Sequence, residues 1–114
     1  MSGTLATNNK IYGIPSYSSF VIEIDTDTDT ITTFGTLGTT AAKYKGGVLA
    51  PNGKIYCIPF NATQFLEIDP ENLTTYLFGN SYTSANKWSG GILATNGNIY
   101  GIPNSETRVV NLIP

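Results

Sequence analysis

The sequence predicts an all-β fold made of repeated antiparallel units, and three observations carry that reading. The first is a period. Gly3-Thr4-Leu5-Ala6-Thr7-Asn8-Asn9-Lys10-Ile11-Tyr12-Gly13-Ile14-Pro15 returns at residues 47–59 and again at 91–103, with an offset of 44 residues both times. A fixed period in this range marks a unit that cannot bury its apolar face alone and must stack on its neighbours. The second is a recurrence of short β-branched and aromatic runs closed by Pro, Gly and Asn. The third is that no useful length of chain shows the 3.6-residue period of a helix.

The middle copy is complete and sets the pattern. Gly46-Gly47-Val48-Leu49-Ala50 is a short apolar run ending at Pro51-Asn52-Gly53, and Asn-Gly is a strong hairpin signal. Lys54-Ile55-Tyr56-Cys57-Ile58-Pro59 follows, closed by a proline that cannot donate to a ladder. After Phe60-Asn61-Ala62-Thr63 comes Gln64-Phe65-Leu66-Glu67-Ile68-Asp69. The turn Pro70-Glu71-Asn72 then leads into Leu73-Thr74-Thr75-Tyr76-Leu77-Phe78-Gly79. These are four strands of one antiparallel meander. The first copy matches at 3–6, 10–15, 20–25 and 30–35, and the third supplies 90–94, 98–103 and 108–113, so eleven strands are expected.

Four antiparallel strands per 40–50 residues is the blade of a β-propeller. The 114 residues form a single repeat domain of about 2.6 repeats, with blades at 3–46 and 47–90 and an incomplete third at 91–114. The glycine-bearing strand is the innermost, where backbones converge. The Thr-rich fourth strand is the outer edge. Propellers close with four or more blades, so an arc of three leaves an apolar blade face at each end. The two ends are complementary head to tail, and the expected partner is a second copy, a homodimer closing one six-bladed ring; the alternative is that the chain is a fragment of a longer propeller.

Ile55-Tyr56-Cys57-Ile58-Pro59 followed by Phe65-Leu66-Glu67-Ile68-Asp69-Pro70-Glu71-Asn72 resembles kelch-type and related bacterial propeller repeats. In those, an Ile-Tyr strand runs into a loop and then a strand ending in an Asp-Pro turn. The sequence departs from the kelch pattern in two places. Pro15, Pro59 and Pro103 stand where the double glycine belongs, and the tryptophan after the Asp-Pro turn is absent, with Tyr76 and Thr32 nearest its place. The resemblance implies propeller architecture and a partner-protein surface. The competing architecture is a β-trefoil, also three copies of four strands; it needs twelve strands, and its usual Gln-x-Trp signature is absent.

Composition narrows the function classes. Charged residues are 12% of the chain, against about 25% in typical globular proteins, and Thr, Asn, Gly and Ser supply the polarity. Net charge is −2, with no run of Lys or Arg, so no nucleic-acid partner is expected. The first residues contain neither a basic stretch nor a leader-like apolar segment, and no apolar run approaches the ~20 residues of a membrane span. A cytoplasmic, non-membrane protein is the default expectation. Histidine is absent, which removes the commonest general base and metal ligand. The lone cysteine, Cys57, allows no internal disulfide and reads as a buried small residue.

The leading candidate site is the approach to the inner strand: Lys43 and Tyr44 in one copy, Lys87 and Trp88 in the next. At one mouth of a central channel, these lysines and aromatics would bind a small polar ligand or carbohydrate, ring against sugar and ammonium against anion. Asp25-Thr26-Asp27-Thr28-Asp29 resembles the start of a calcium loop but lacks the glycine and distant glutamate that would complete it. No metal or cofactor is therefore expected. Asn8, Asn52 and Asn96 are expected to serve tight turns through their tolerance of positive φ. Tyr12, Tyr56 and Tyr100 are expected in the core, and Glu23 and Glu67 facing solvent. The resulting expectation is a non-enzymatic binding or scaffold module. The alternatives are a metal-dependent, hydrolase-like propeller enzyme or a lectin-like β-trefoil.

Overall fold

The computed structural model describes residues 2–114. It contains eleven strands: β1 Gly3–Leu5, β2 Ile11–Gly13, β3 Val21–Asp25, β4 Thr30–Phe34, β5 Tyr44–Leu49, β6 Ile55–Pro59, β7 Phe65–Asp69, β8 Thr74–Phe78, β9 Trp88–Leu93, β10 Ile99–Pro103 and β11 Val110–Leu112. They form three sheets, β1-β2-β3-β4, β5-β6-β7-β8 and β9-β10-β11, each in sequence order. All pairs are antiparallel. This is a partial β-propeller, three blades in an arc of 44 × 34 × 19 Å, as the period requires. The inner strands neighbour one another, β1 beside β5 and β5 beside β9.

Each strand follows from local chemistry. The β1–β2, β5–β6 and β9–β10 turns place Asn9 at φ 64°, Gly53 at 84° and Gly97 at 85°. The recurring asparagine sits one residue earlier than the left-handed position, so its expected role is corrected. Its Oδ1 accepts the backbone N–H two residues on, from Lys10 at 3.0 Å, Lys54 at 2.9 Å and Asn98 at 3.0 Å, closing an Asx turn. The inner strands begin two residues earlier than expected, at Tyr44 and Trp88, because a bulge between Tyr44 and Gly47 extends the pairing to Pro59. Trp88 pairs with Pro103 in the same way. A bulge adds one residue to a strand and re-aims the side chains around it.

Two seams hold the arc. Between the first and second sheets, Tyr12, Ile14 and Val21 meet Ile55, Cys57, Leu66 and Ile68. Between the second and third, Tyr56, Ile58 and Phe65 meet Trp88, Ile99 and Leu112. The same positions therefore mate twice, shifted by one period. At both seams an isoleucine knob meets a glycine. A Cβ on Gly47 would lie 2.7 Å from Ile14 Cδ1, and one on Gly91 would lie 2.7 Å from Ile58 Cδ1. Close packing of this kind leaves no room for a side chain. Cys57 is fully buried here, and burial pushes its thiol pKa up.

Candidate functional site

One rim of the arc carries a repeated polar relay. Asn8 Nδ2 donates to Tyr12 Oη at 2.9 Å, and Tyr12 Oη donates to Glu23 Oε2 at 2.8 Å. In the second blade, Asn52 donates to Tyr56 at 3.0 Å and Tyr56 to Glu67 at 3.0 Å. In the third, Asn96 donates to Tyr100 at 3.0 Å, and Asn111 stands where the glutamates were. Glu23 is buried and Glu67 half-buried, contrary to the solvent-facing expectation. The tyrosine hydroxyl draws the carboxylate inward, and Lys10 Nζ lies 3.8 Å from Glu23. Burial pushes the Tyr12 phenol up to about 12. The relay ties turn to strands, and every member is satisfied, which is the condition for a buried network to stabilise. Tyr12→Phe leaves the buried Glu23 carboxylate short of its donor. It is expected to lower stability by about 1–3 kcal/mol in urea unfolding, and the more exposed Tyr56→Phe by less.

The opposite rim carries the long loops and the four residues singled out from the sequence. The structure buries Lys43, Tyr44, Lys87 and Trp88 and does not gather them around one opening. Lys43 Nζ donates to Thr40 O at 2.9 Å and Ser16 O at 3.2 Å; Lys87 Nζ donates to Ser84 O at 2.6 Å. Tyr44 Oη donates to Gln64 O at 2.9 Å, and Trp88 Nε1 to Arg108 O at 2.8 Å. Their rings fill the two seams. The lysine backbones fasten the loops as well. Lys43 N–H donates to Ser16 O of the preceding blade and Lys87 N–H to Phe60 O, both at 2.9 Å. Desolvation lowers both ammonium pKa values. Loop carbonyls without strand partners explain why lysine recurs here, since three N–H donors satisfy them. Between these residues the bulge turns Lys45 and Ser89 outward, with Lys45 Nζ 4.3 Å from the centre of the Phe60 ring.

On the same rim a cleft of about 560 Å³ opens between the second and third sheets, lined by Phe65, Phe78, Tyr82, Trp88, Glu106 and Arg108 among others. Its counterpart between the first two sheets holds about 100 Å³, with Leu77 of β8 among its lining residues. Among the described residues no strand pairs with the outer side of β11, and the cleft is correspondingly wide. Phe65, Tyr82 and Trp88 form its aromatic wall, with ring centroids 5.3–6.1 Å apart. Ser84 Oγ donates to Glu106 Oε2 at 2.6 Å and holds that carboxylate in place. Sequence reasoning passed over Glu106 and Arg108. The available signal was their departure from the period, since the first two copies have Ser18 and Ala62, then Phe20 and Gln64, at those positions. Among the described residues no group of three His, Cys, Asp or Glu side chains could hold a metal ion, and no helix is long and apolar enough to cross a membrane.

No protein-family model matches the chain, and no curated protein matches it in sequence. Solved structures do match in fold. A catalytically inactive histidine-to-alanine variant of virginiamycin B lyase from Staphylococcus aureus, with quinupristin, covers 98% of this chain at a TM-score of 0.79 and 14% identity. The selenomethionine-substituted lyase covers 97% at a TM-score of 0.80 and 14% identity. The chain spans 37% and 36% of those two chains. The match supports the propeller over the trefoil. It also corrects the functional expectation. The solved structures this chain resembles belong to an enzyme, and the non-enzymatic binding or scaffold expectation is withdrawn on that finding.

Proposed function

We propose that this chain is part of a propeller enzyme of the lyase class, with the cleft between the second and third sheets as its substrate site. The observation that carries the reading is the fold match to virginiamycin B lyase over 98% of the chain. The cleft supports it, being concave with an aromatic wall and convergent polar groups, the usual character of a small-molecule site. The aromatic wall holds an apolar or aromatic part of the substrate. The Arg108 guanidinium pairs with a carbonyl or carboxylate oxygen. The Glu106 carboxylate is the proton acceptor. In an elimination it removes a proton from carbon, the C–H electron pair becomes the new double bond, and the bond to the leaving group breaks. The departing group then recovers the proton from Glu106. No histidine is available in residues 1–114, so a carboxylate takes the base's role.

Quinupristin incubated with the purified chain and followed by chromatography tests this directly. Turnover is expected, and Glu106→Gln is expected to cut it by about 100-fold or more while leaving the thermal midpoint near wild type. An inert wild-type chain, or a Glu106→Gln variant as active as wild type, would contradict the assignment.

A further inference from the structure

Lys43 and Lys87 occupy the same place in successive blades, and only one of them has a carboxylate nearby. Both are buried, 2% and 0% exposed. Their backbones are fastened alike: the Lys43 carbonyl accepts the Ala62 N–H and the Lys87 carbonyl accepts the Glu106 N–H, each at 3.2 Å. Ala62 and Glu106 are therefore equivalent in space as well as in the 44-residue period. In the third blade Lys87 Nζ donates to Ser84 O, and Ser84 Oγ donates to the Glu106 carboxylate, both at 2.6 Å. That carboxylate raises the Lys87 pKa against the lowering by burial.

In the second blade the same frame is incomplete. Lys43 Nζ donates to Thr40 O, as Lys87 does to Ser84 O, and also to Ser16 O. An ammonium has three donors, so one remains. Thr40 keeps a hydroxyl where Ser84 has one, but Ala62 has no carboxylate to offer it. Among the described residues no acidic side chain forms an ion pair with Lys43, and burial lowers its pKa with no carboxylate opposing the shift. The cavity of about 100 Å³ between the first two sheets lies here, lined by Lys43, Thr40, Ala62, Thr63 and Gln64 among others. One water takes up about 30 Å³ in the liquid, so about three such groups fit. A buried charge without an opposite partner is costly, and this one adjoins a cavity where its counterpart has Glu106.

We propose that this cavity binds a small monovalent carboxylate, formate or acetate, with its oxygens meeting Lys43 Nζ and the Thr40 hydroxyl. The ligand supplies in the second blade the negative group that Glu106 builds into the third. Its size follows from the cavity, its charge from the ammonium, and its two-oxygen head from the Glu106 carboxylate whose place it takes. The site is separate from the cleft between the second and third sheets and does not depend on the chemistry proposed there.

Sodium formate titrated into the isotope-labelled chain, with sodium chloride holding the ionic strength constant, tests the proposal. Amide signals of Thr40, Lys43 and Ala62 are expected to move and saturate. Those of Ser84, Lys87 and Glu106 are expected to stay in place, because the third blade already has its carboxylate. Formate at about ten times its dissociation constant is expected to raise the thermal midpoint on the order of 5 °C above that in chloride. Ala62→Glu, which restores the carboxylate in the second blade, is expected to abolish both responses. Signals at Thr40, Lys43 and Ala62 that do not move, that drift without saturating, or that move no more than those of the third blade would overturn the proposal. So would a midpoint no higher in formate than in chloride, or an Ala62→Glu protein that responds as wild type does. The wild-type comparison of the two loops decides the matter even where Ala62→Glu fails to fold.

Discussion

Ile58→Ala is expected to lower the unfolding free energy by about 2–5 kcal/mol, read from urea midpoints at one fixed protein concentration. Ile58 is 1% exposed, and its Cδ1 stands 2.7 Å from where a Cβ on Gly91 would lie and 3.0 Å from one on Gly101. Truncation removes the knob and opens a cavity that the paired strands around it cannot collapse to fill. Gly91→Val errs in the opposite direction. Its new side chain meets Ile58, the Tyr100 carbonyl at 3.2 Å and Ile99 at 3.3 Å, and overpacking of this kind costs about 1–3 kcal/mol. Combined, the two changes compensate, because the added valine occupies the space the isoleucine leaves. The double variant is therefore expected to be more stable than the sum of the single effects predicts, by about 0.5–3 kcal/mol. Strict additivity would show that the two positions do not touch.

Alkaline pH is expected to weaken the fold markedly, through groups with no role in the cleft. Burial raises the pKa of Tyr12 from 10.0 to about 12 and pushes Tyr44 and Tyr56 upward as well. It also raises the Cys57 thiol above its ordinary 9.0. For each group the folded chain keeps a proton that the unfolded chain releases, so the folded state binds more protons and stability falls as pH rises. The loss begins near pH 9 with the thiol, grows through pH 10 with the phenols and continues to about pH 12. One unit of difference is worth about 1.4 kcal/mol. Lys43 and Lys87 act the other way, since their lowered values make deprotonation favour folding as the pH approaches 10.5. The phenols and thiol outnumber them. Urea midpoints that decline steadily above about pH 9 are expected, with Tyr12, Tyr44 and Tyr56 ionising above the ordinary phenol value of 10.0. Midpoints that stay flat to about pH 11 would contradict the burial assigned to these residues.

The strands were legible because their signals are local. Asn-Gly turns, closing prolines and β-branched runs mark each element within a few residues, and the 44-residue offset multiplies the evidence. The seams were partly legible, since Tyr12, Tyr56 and Cys57 read as core and lie in them. The fate of Lys43 and Lys87 was not. Whether a lysine meets water or loop carbonyls depends on how the loops of two blades cross, which strand periodicity does not encode. Glu23 was misjudged for a related reason. Alternation along β3 aims its side chain, but its burial depends on the Tyr12 hydroxyl one strand away. Enzyme chemistry was discounted because the chain has no histidine. The proposed site uses Glu106 and Arg108, loop residues that interrupt the repeat. A repeat protein advertises packing where it repeats, and the residues that break its pattern are the better guide to chemistry.

The account rests on consecutive repeats stacking as blades, front against back. Nuclear Overhauser contacts from the Ile58 δ1-methyl measure this most directly. The account predicts cross-peaks from that methyl to the α-protons of both Gly91 and Gly101, and equivalent ones from Ile14 to Gly47. Their absence, with contacts instead linking all three inner strands around a pseudo-threefold barrel, would contradict it.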